Sequence, residues 1–348
     1  MPLHRVDNAD LSALNSFRVA ARARTLVRLA RPEDGEEAAT LLAESPRSLV
    51  LGAGSNVLFT ADFEGTVVQV DLRGRRIVEP AGGGTQPDSP VIVEAAAGEP
   101  WHEFVLWTLE QGLYGLENLA LIPGSVGAAP VQNIGAYGVE LSQCLDSVDA
   151  IDIDAASAPR RMTAQACRLG YRNSIFRRTS GRSRWLIVSV RFALSRVPQP
   201  RLDYPDLKAA FAKAVSPPSP REIAEAVCRI RAGKLPDPAR IGNAGSFFRN
   251  PTVAVSQARE LSQQYPGLPT YPAGGSDGCV KIPAAWLIDR CGWKGQRRGD
   301  AGVHADHALV LVNHGRASGA EIIALANQIR DSVAERFGVL LEPEVVVV

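Results

Sequence analysis

Apolar residues along this chain come in short bursts cut by Gly, Pro and polar turns, and the bursts follow two different periods. Runs rich in β-branched residues predict strands at Ser48–Leu51, Thr66–Val70, Val91–Ala95, Val148–Ile153, Trp185–Phe192, Ala308–Val312 and Glu344–Val348. Apolar spacing of three and four predicts helices at Glu36–Ala43, Trp101–Glu110, Glu222–Ile230 and Glu321–Phe337. The last is the clearest. Ile322, Leu325, Ile329, Val333 and Phe337 share one side, Ser318 and Glu321 stand ahead of them in capping-box spacing, and Gly338 ends the run. Few regular βαβ units can be traced, so the predicted class is α+β.

A chain of 348 residues is long enough for two or three domains and buries about three quarters of its unfolded surface, so it needs no disulfide or structural metal. Its Gly and Pro residues are spread between elements rather than gathered in one linker. Ala81–Pro90 reads as a surface insertion. Ser195–Pro205 with Ser216–Pro220 is Pro-rich and predicts a domain boundary near residue 230. The 38 Lys and Arg against 37 Asp and Glu leave a net charge of +1, which removes the footprint of a general nucleic-acid binder. No apolar run reaches the ~18 residues of a spanning helix, and Asp7 and Asp10 stand where a signal peptide would be apolar. No membrane insertion and a cytoplasmic location are therefore expected. Cys144, Cys167, Cys228, Cys279 and Cys291 are odd in number and form no C-x-x-C pair, which fits reduced, mostly buried thiols.

Two glycine-rich loops carry chemistry. Leu51, Gly52, Ala53, Gly54, Ser55 and Asn56 follow an apolar strand, where bare backbone can approach a phosphate while Ser55 and Asn56 hydrogen-bond. A G-x-G after a strand is also often only a turn. Asp71 lies at the distance of a Rossmann acidic residue, but Val57 replaces the third glycine and no helix follows. The second loop, Leu121 to Gly138, leaves a longer stretch of backbone without bulky side chains and intersperses Ser125, Gln132, Asn133 and Tyr137. It suits a large planar or pyrophosphate-bearing ligand better than a simple turn does.

These loops, together with Tyr171–Phe176, Asn243–Pro251 and Leu341–Val345, occur in order between Asn15 and Val345, and in this the chain resembles the UDP-N-acetylenolpyruvoylglucosamine reductase (UDP-N-acetylmuramate dehydrogenase) family. The resemblance implies non-covalent FAD in a two-subdomain fold of the vanillyl-alcohol-oxidase type, with a C-terminal α/β substrate domain. The implied divisions are 1–78 and 79–232 for the two FAD subdomains, 233–343 for the substrate domain and 344–348 for a closing strand with Glu344. FAD is then expected against Leu51–Asn56 and against Ile122, Pro123, Gly124, Ser125, Gly127, Ala128, Asn133, Gly135, Ala136, Tyr137 and Gly138. NADPH is the implied reductant and a UDP-sugar the small-molecule substrate, in a protein expected to be a monomer. A related FAD-dependent alcohol or 2-hydroxy-acid oxidase is the alternative, disfavoured by the Ser246 and Glu344 segments; a catalytically dead nucleotide-binding module would have lost Ser246, Arg172 or Glu344.

By the same resemblance the catalytic residues are Arg172, Ser246 and Glu344. Reducing an enolpyruvyl ether leaves enolate character beside a carboxylate, so the site needs a cation or acid at that carboxylate and a proton donor at the carbon. Arg172 matches the first need with a fixed fork, Glu344 matches it as an acid whose pKa burial is expected to raise, and Ser246 matches the proton donor. Lys234 and Asn250 are expected to line the same pocket. Tyr204 matches the tyrosine of the longer family type that closes over the UDP moiety, with Pro205 in place of an expected glycine, which would stiffen the loop. His307 stands where glutamine is expected, which leaves its substrate contact open. His304 and His307 lack a third ligand at sensible spacing, so no metal is expected, and Arg18, Arg22, Arg24, Arg28 and Arg31 read as a solvated basic face.

Overall fold

The structure, a computed structural model, describes residues 3–78, 89–155, 157–177, 183–273 and 278–348. The expected insertion Ala81–Pro90 lies almost wholly outside them. The chain forms two compact units. The first comprises Met1–Ala9, Ala23–Gly54 and Phe63–Gly233; the second comprises Asp10–Arg22, Ser55–Asp62 and Lys234–Val348.

The first unit holds two sheets. In one, the strands run in the order His4–Asp10, Arg22–Leu29, Phe63–Val70, Ser48–Leu51. Phe63–Val70 lies parallel to both neighbours, and helix Gly35–Glu44 is the crossover that carries the chain from one of them, Arg22–Leu29, to the other, Ser48–Leu51. Arg22–Leu29 was not predicted as a strand. It alternates strictly, with Ala23, Val27 and Leu29 buried and Arg22, Arg24 and Arg28 outward. Those arginines do not form a bare basic face: Arg24 pairs with Glu64 and Arg28 with Asp71, while Arg31 pairs with Asp34. Arg73 holds Asp71 as well, so this carboxylate is engaged by two guanidiniums and the Rossmann reading of it falls.

The second sheet is antiparallel, in the order Arg160–Thr163, Leu145–Asp152, Trp185–Leu194, Val91–Ala96, Arg75–Val78. Helix Trp101–Glu110 has the predicted bounds and packs Trp101 and Phe104 on Phe192, with ring centroids 5.9 and 5.0 Å away. Burying such aromatic pairs away from water is the main favourable term holding the helix to the sheet. Cys144 and Cys167 are buried here as free thiols, and burial pushes both up to about 11, so they are protonated and unreactive at neutral pH.

In the second unit, Gly242–Ser246, Val310–Asn313, Ala301–Val303 and Arg297–Arg298 form one antiparallel sheet. The segment Asp10–Arg22 is held to it by Asn243 N–H on the Ser16 carbonyl (3.0 Å), Asn313 Nδ2 on the Phe17 carbonyl (3.0 Å) and the Phe17–Phe247 ring contact. Helix Gly319–Phe337 carries the predicted capping box, Ser318 and Glu321 each bonding the other's backbone, and ends at Gly338. The closing strand is shorter than predicted: only Val346–Val347 pairs, in parallel with Val57–Leu58. Glu344 drops out of that ladder because its N–H bonds the Phe247 carbonyl at 2.8 Å instead. No helix among the described residues is long and apolar enough to cross a membrane.

Candidate active site

The two glycine loops, far apart in sequence, meet in the first unit. A Cβ at Gly52 would stand 2.6 Å from Ser125 Oγ and 3.5 Å from the Ala128 Cβ, so the second loop closes on Gly52 and leaves no room for a side chain larger than a methyl. Ser125 is buried, and its hydroxyl has no hydrogen-bond partner among the described residues. A buried hydroxyl left unmatched beside bare backbone is costly unless a ligand meets it. A flavin nucleotide supplies acceptor oxygens for such a cradle, and in this respect the residues fit FAD.

The second loop is zipped to the start of the Trp101–Glu110 helix. Gly127 N–H bonds the Ala97 carbonyl (2.8 Å), Val126 N–H the Glu99 carbonyl (2.9 Å) and Trp101 N–H the Gly124 carbonyl (3.0 Å). Further on, Gly135–Ala136 pairs with Val139–Glu140. The turn between them is Tyr137–Gly138, both with positive φ (50° and 82°), the geometry of a type I′ hairpin turn. Leu121, Asn133, Tyr137 and Arg172 are four of the seven described non-glycine residues with positive φ. Such conformations persist only where surrounding bonds over-determine them.

Those bonds are visible. Asn133, expected as a cofactor contact, is fully buried; its Nδ2 donates to Glu140 Oε2 (3.0 Å) and the Gly170 carbonyl (3.1 Å), and its Oδ1 accepts Ser142 N–H (2.9 Å). Its side chain binds protein. Through Gly170 it ties the loop to the segment bearing Arg172, whose Nη2 donates to the Gly135 carbonyl at 3.2 Å. Tyr137 stacks edge-on against Tyr204, centroids 5.2 Å apart. Asn118, buried and not singled out from sequence, donates to the carbonyls of both Tyr137 and Arg201 (2.9 Å each), joining the two tyrosine segments. Pro205 is the first residue of helix Pro205–Ala210, a position that suits proline, and Tyr204 is its N-cap. Burial pushes the Tyr137 phenol up to about 12, which keeps it a neutral donor at physiological pH. Tyr204 is 42% exposed.

The second unit gathers Ser246, Glu344, Asn56 and His307. Ser246 ends its strand opposite Val310, and the chain beyond it runs beside the C-terminus: Glu344 N–H bonds the Phe247 carbonyl and Phe248 bridges Pro343. Asn56 closes the other side, its Nδ2 on the Glu344 carbonyl (3.3 Å) and its own carbonyl accepting Val346 N–H (3.1 Å). Ser246 and Glu344 are both half-buried. His307 Nδ1 accepts Leu309 N–H (3.3 Å), and burial, then the charges of His304 and Lys234, lower its pKa. It is therefore a neutral ring whose Nε2 carries the proton. Asn250 Oδ1 accepts Ala284 N–H (2.9 Å) and so anchors the start of helix Ala284–Arg290. Lys234 is exposed. Among the described residues no three His, Cys, Asp or Glu side chains are placed to hold a metal ion.

Residues 24–156 match the family described as an FAD binding domain, and residues 237–348 match the C-terminal domain of UDP-N-acetylenolpyruvoylglucosamine reductase. The chain is 51% identical over 344 residues to the UDP-N-acetylenolpyruvoylglucosamine reductase of Paraburkholderia xenovorans, covering 96% of this chain and 95% of that one. It is 49% identical over 346 residues to the enzyme of the same name from Pseudomonas aeruginosa, covering 99% of each. Among solved structures, that of UDP-N-acetylenolpyruvylglucosamine reductase from Thermus caldophilus matches with a TM-score of 0.64 and 25% identity, over 100% of this chain and 99% of that one.

Proposed function

This chain belongs to the UDP-N-acetylenolpyruvoylglucosamine reductase family, and we propose that Arg172, Ser246 and Glu344 carry out its reaction, the reduction of UDP-N-acetylglucosamine enolpyruvate to UDP-N-acetylmuramate in peptidoglycan precursor synthesis. The enzyme is an FAD-dependent oxidoreductase with NADPH as reductant. The observation that carries the reading is near-half identity sustained from end to end. A flavin held by the Leu51–Asn56 and Ile122–Gly138 loops would supply the hydride chemistry, with NADPH as the source and the terminal carbon of the vinyl ether as the acceptor.

The protein's own part is charge and a proton. The carbon next to the carboxylate gains enolate character, and the Arg172 guanidinium offers that carboxylate two parallel donors. Glu344 serves there only while protonated or through a bridging hydrogen bond, because a second anion would repel the developing charge. Ser246 gives its hydroxyl proton to the carbon. A serine hydroxyl is a weak acid, so its oxygen must be stabilised as the proton leaves; the Lys234 ammonium and the Asn250 amide are the groups we assign to that task. The unmatched Ser125 hydroxyl supports cofactor binding by the two glycine loops.

We take Tyr204 as a contact to the UDP moiety and His307 as a neutral donor to the same substrate. We read residues 1–78 and 79–232 as the FAD-binding subdomains, 233–343 as the substrate domain and 344–348 as the closing segment, in a monomeric cytoplasmic enzyme. Incubating the protein with FAD, NADPH and the enolpyruvyl substrate should give a product heavier by one hydride and one proton, read by mass spectrometry. Unchanged substrate with consumed NADPH would reject the acceptor.

A further inference from the structure

We propose that His102 and Arg231 are positioning residues for the cofactor, which lock Leu121, at the mouth of the Ile122–Gly138 loop, in the conformation that lets this loop receive FAD. The inference rests on the assignment of that loop to FAD.

Leu121 has φ of 58°, an unusual state for a residue with a branched side chain. Its peptide is gripped from both ends by side chains. His102 Nδ1, on the first turn of the Trp101–Glu110 helix, accepts the Leu121 N–H at 3.0 Å. Arg231 Nε, near the end of the Pro220–Lys234 helix, donates to the Leu121 carbonyl at 3.2 Å. On either side the loop is fixed differently: Trp101 Nε1 donates to the Leu119 carbonyl (2.8 Å) and Trp101 N–H to that of Gly124 (3.0 Å). Leu121 is thus the point at which titratable side chains set the path of the loop. Two helices from distant parts of the chain converge there, an arrangement that simple packing of a turn does not require.

The grip on the N–H depends on an unprotonated Nδ1. Burial lowers the pKa of His102 from the ordinary 6.5, with Glu103 on its own helix opposing. From the neighbouring sheet, Arg75 reaches the Glu103 carbonyl at 3.1 Å. The acceptor is therefore fully present above the ordinary value and is lost as pH falls through the lowered one. Arg231 is half-buried. The charges that bear on it are those of Tyr137 and Cys228, both neutral near pH 7, and a guanidinium keeps its proton, so its bond to the Leu121 carbonyl is charge-assisted.

The test measures the dissociation constant of FAD for apoprotein, by quenching of FAD fluorescence, in the wild type, His102→Asn, His102→Leu, Arg231→Lys and Arg231→Met. Asparagine places an acceptor oxygen where Nδ1 stands and cannot be protonated. At neutral pH, His102→Leu and Arg231→Met should weaken FAD on the order of tenfold, the usual worth of one buried hydrogen bond. His102→Asn should bind as the wild type does, and Arg231→Lys should fall between. As pH falls below the ordinary histidine value and through the lowered one, the wild type should weaken and His102→Asn should weaken much less. Wild-type affinity in both His102→Leu and Arg231→Met, or the same acid-side weakening in His102→Asn as in the wild type, would overturn the inference. If the leucine variant does not fold, the asparagine pH profile decides alone. Failure of the wild-type apoprotein to bind FAD at any pH would instead overturn the cofactor assignment, and this inference with it.

Discussion

Ser246 and Glu344 lie 98 positions apart in sequence, yet two backbone hydrogen bonds, Glu344 N–H to the Phe247 carbonyl and Arg249 N–H to the Glu342 carbonyl, make their segments neighbours. Proton donation by Ser246 predicts that Ser246→Ala leaves flavin reduction by NADPH nearly intact and slows reoxidation by the enolpyruvyl substrate on the order of 10²–10⁴-fold. Rapid mixing of the two half-reactions reads both; equal slowing would remove the role. Glu344→Gln keeps size and one donor group but not the acid. It should slow the second half-reaction on the order of tenfold or more, and wild-type rates would reject the assignment. These residues were legible only through a family likeness, because a serine after a glycine and a glutamate before an apolar run carry no signal of their own. His102, Asn118 and Arg231 were not legible at all: their importance comes from which carbonyl or N–H each meets, which no local pattern encodes.

Element by element, legibility follows the strength of periodicity and caps. The helix Trp101–Glu110 has its predicted bounds and Gly319–Phe337 its predicted cap. Ser318→Ala should cost about 1 kcal/mol, the usual worth of an N-cap hydroxyl, seen as a lower denaturant midpoint with unchanged slope. The helix predicted at Glu222–Ile230 extends to Lys234, and the extra turn is what carries Arg231. The strand Arg22–Leu29 was hidden because its outward positions are arginines, which read as a charged surface until Glu64 and Asp71 are seen opposite them. The closing strand was overestimated for the opposite reason: an apolar run cannot show that Glu344 bonds elsewhere. At the glycine loops, contact between Gly52 and Ser125 predicts that Gly52→Val raises the FAD dissociation constant on the order of tenfold or more, since the Ser125 hydroxyl can swing from one methyl but Ala128 then blocks the branched side chain. Unchanged affinity would mean that the loops do not form one cradle.

For the whole molecule, composition limited the answer to a multi-domain chain without strong charge, and the α+β class followed from mixed periods. What composition could not reveal is that the second unit recruits Asp10–Arg22 and Ser55–Asp62 from the first part of the chain, since discontinuous units leave no boundary signal. The central claim joins cofactor, reductant and acceptor in one protein. It is tested most directly by the visible absorption spectrum of the purified protein, recorded anaerobically before NADPH, after NADPH, and after UDP-N-acetylglucosamine enolpyruvate. The account predicts a flavin band that bleaches with NADPH and returns with the substrate. A band that bleaches and stays bleached would contradict the acceptor, and a protein that shows no flavin band and takes up no added FAD would contradict the account as a whole.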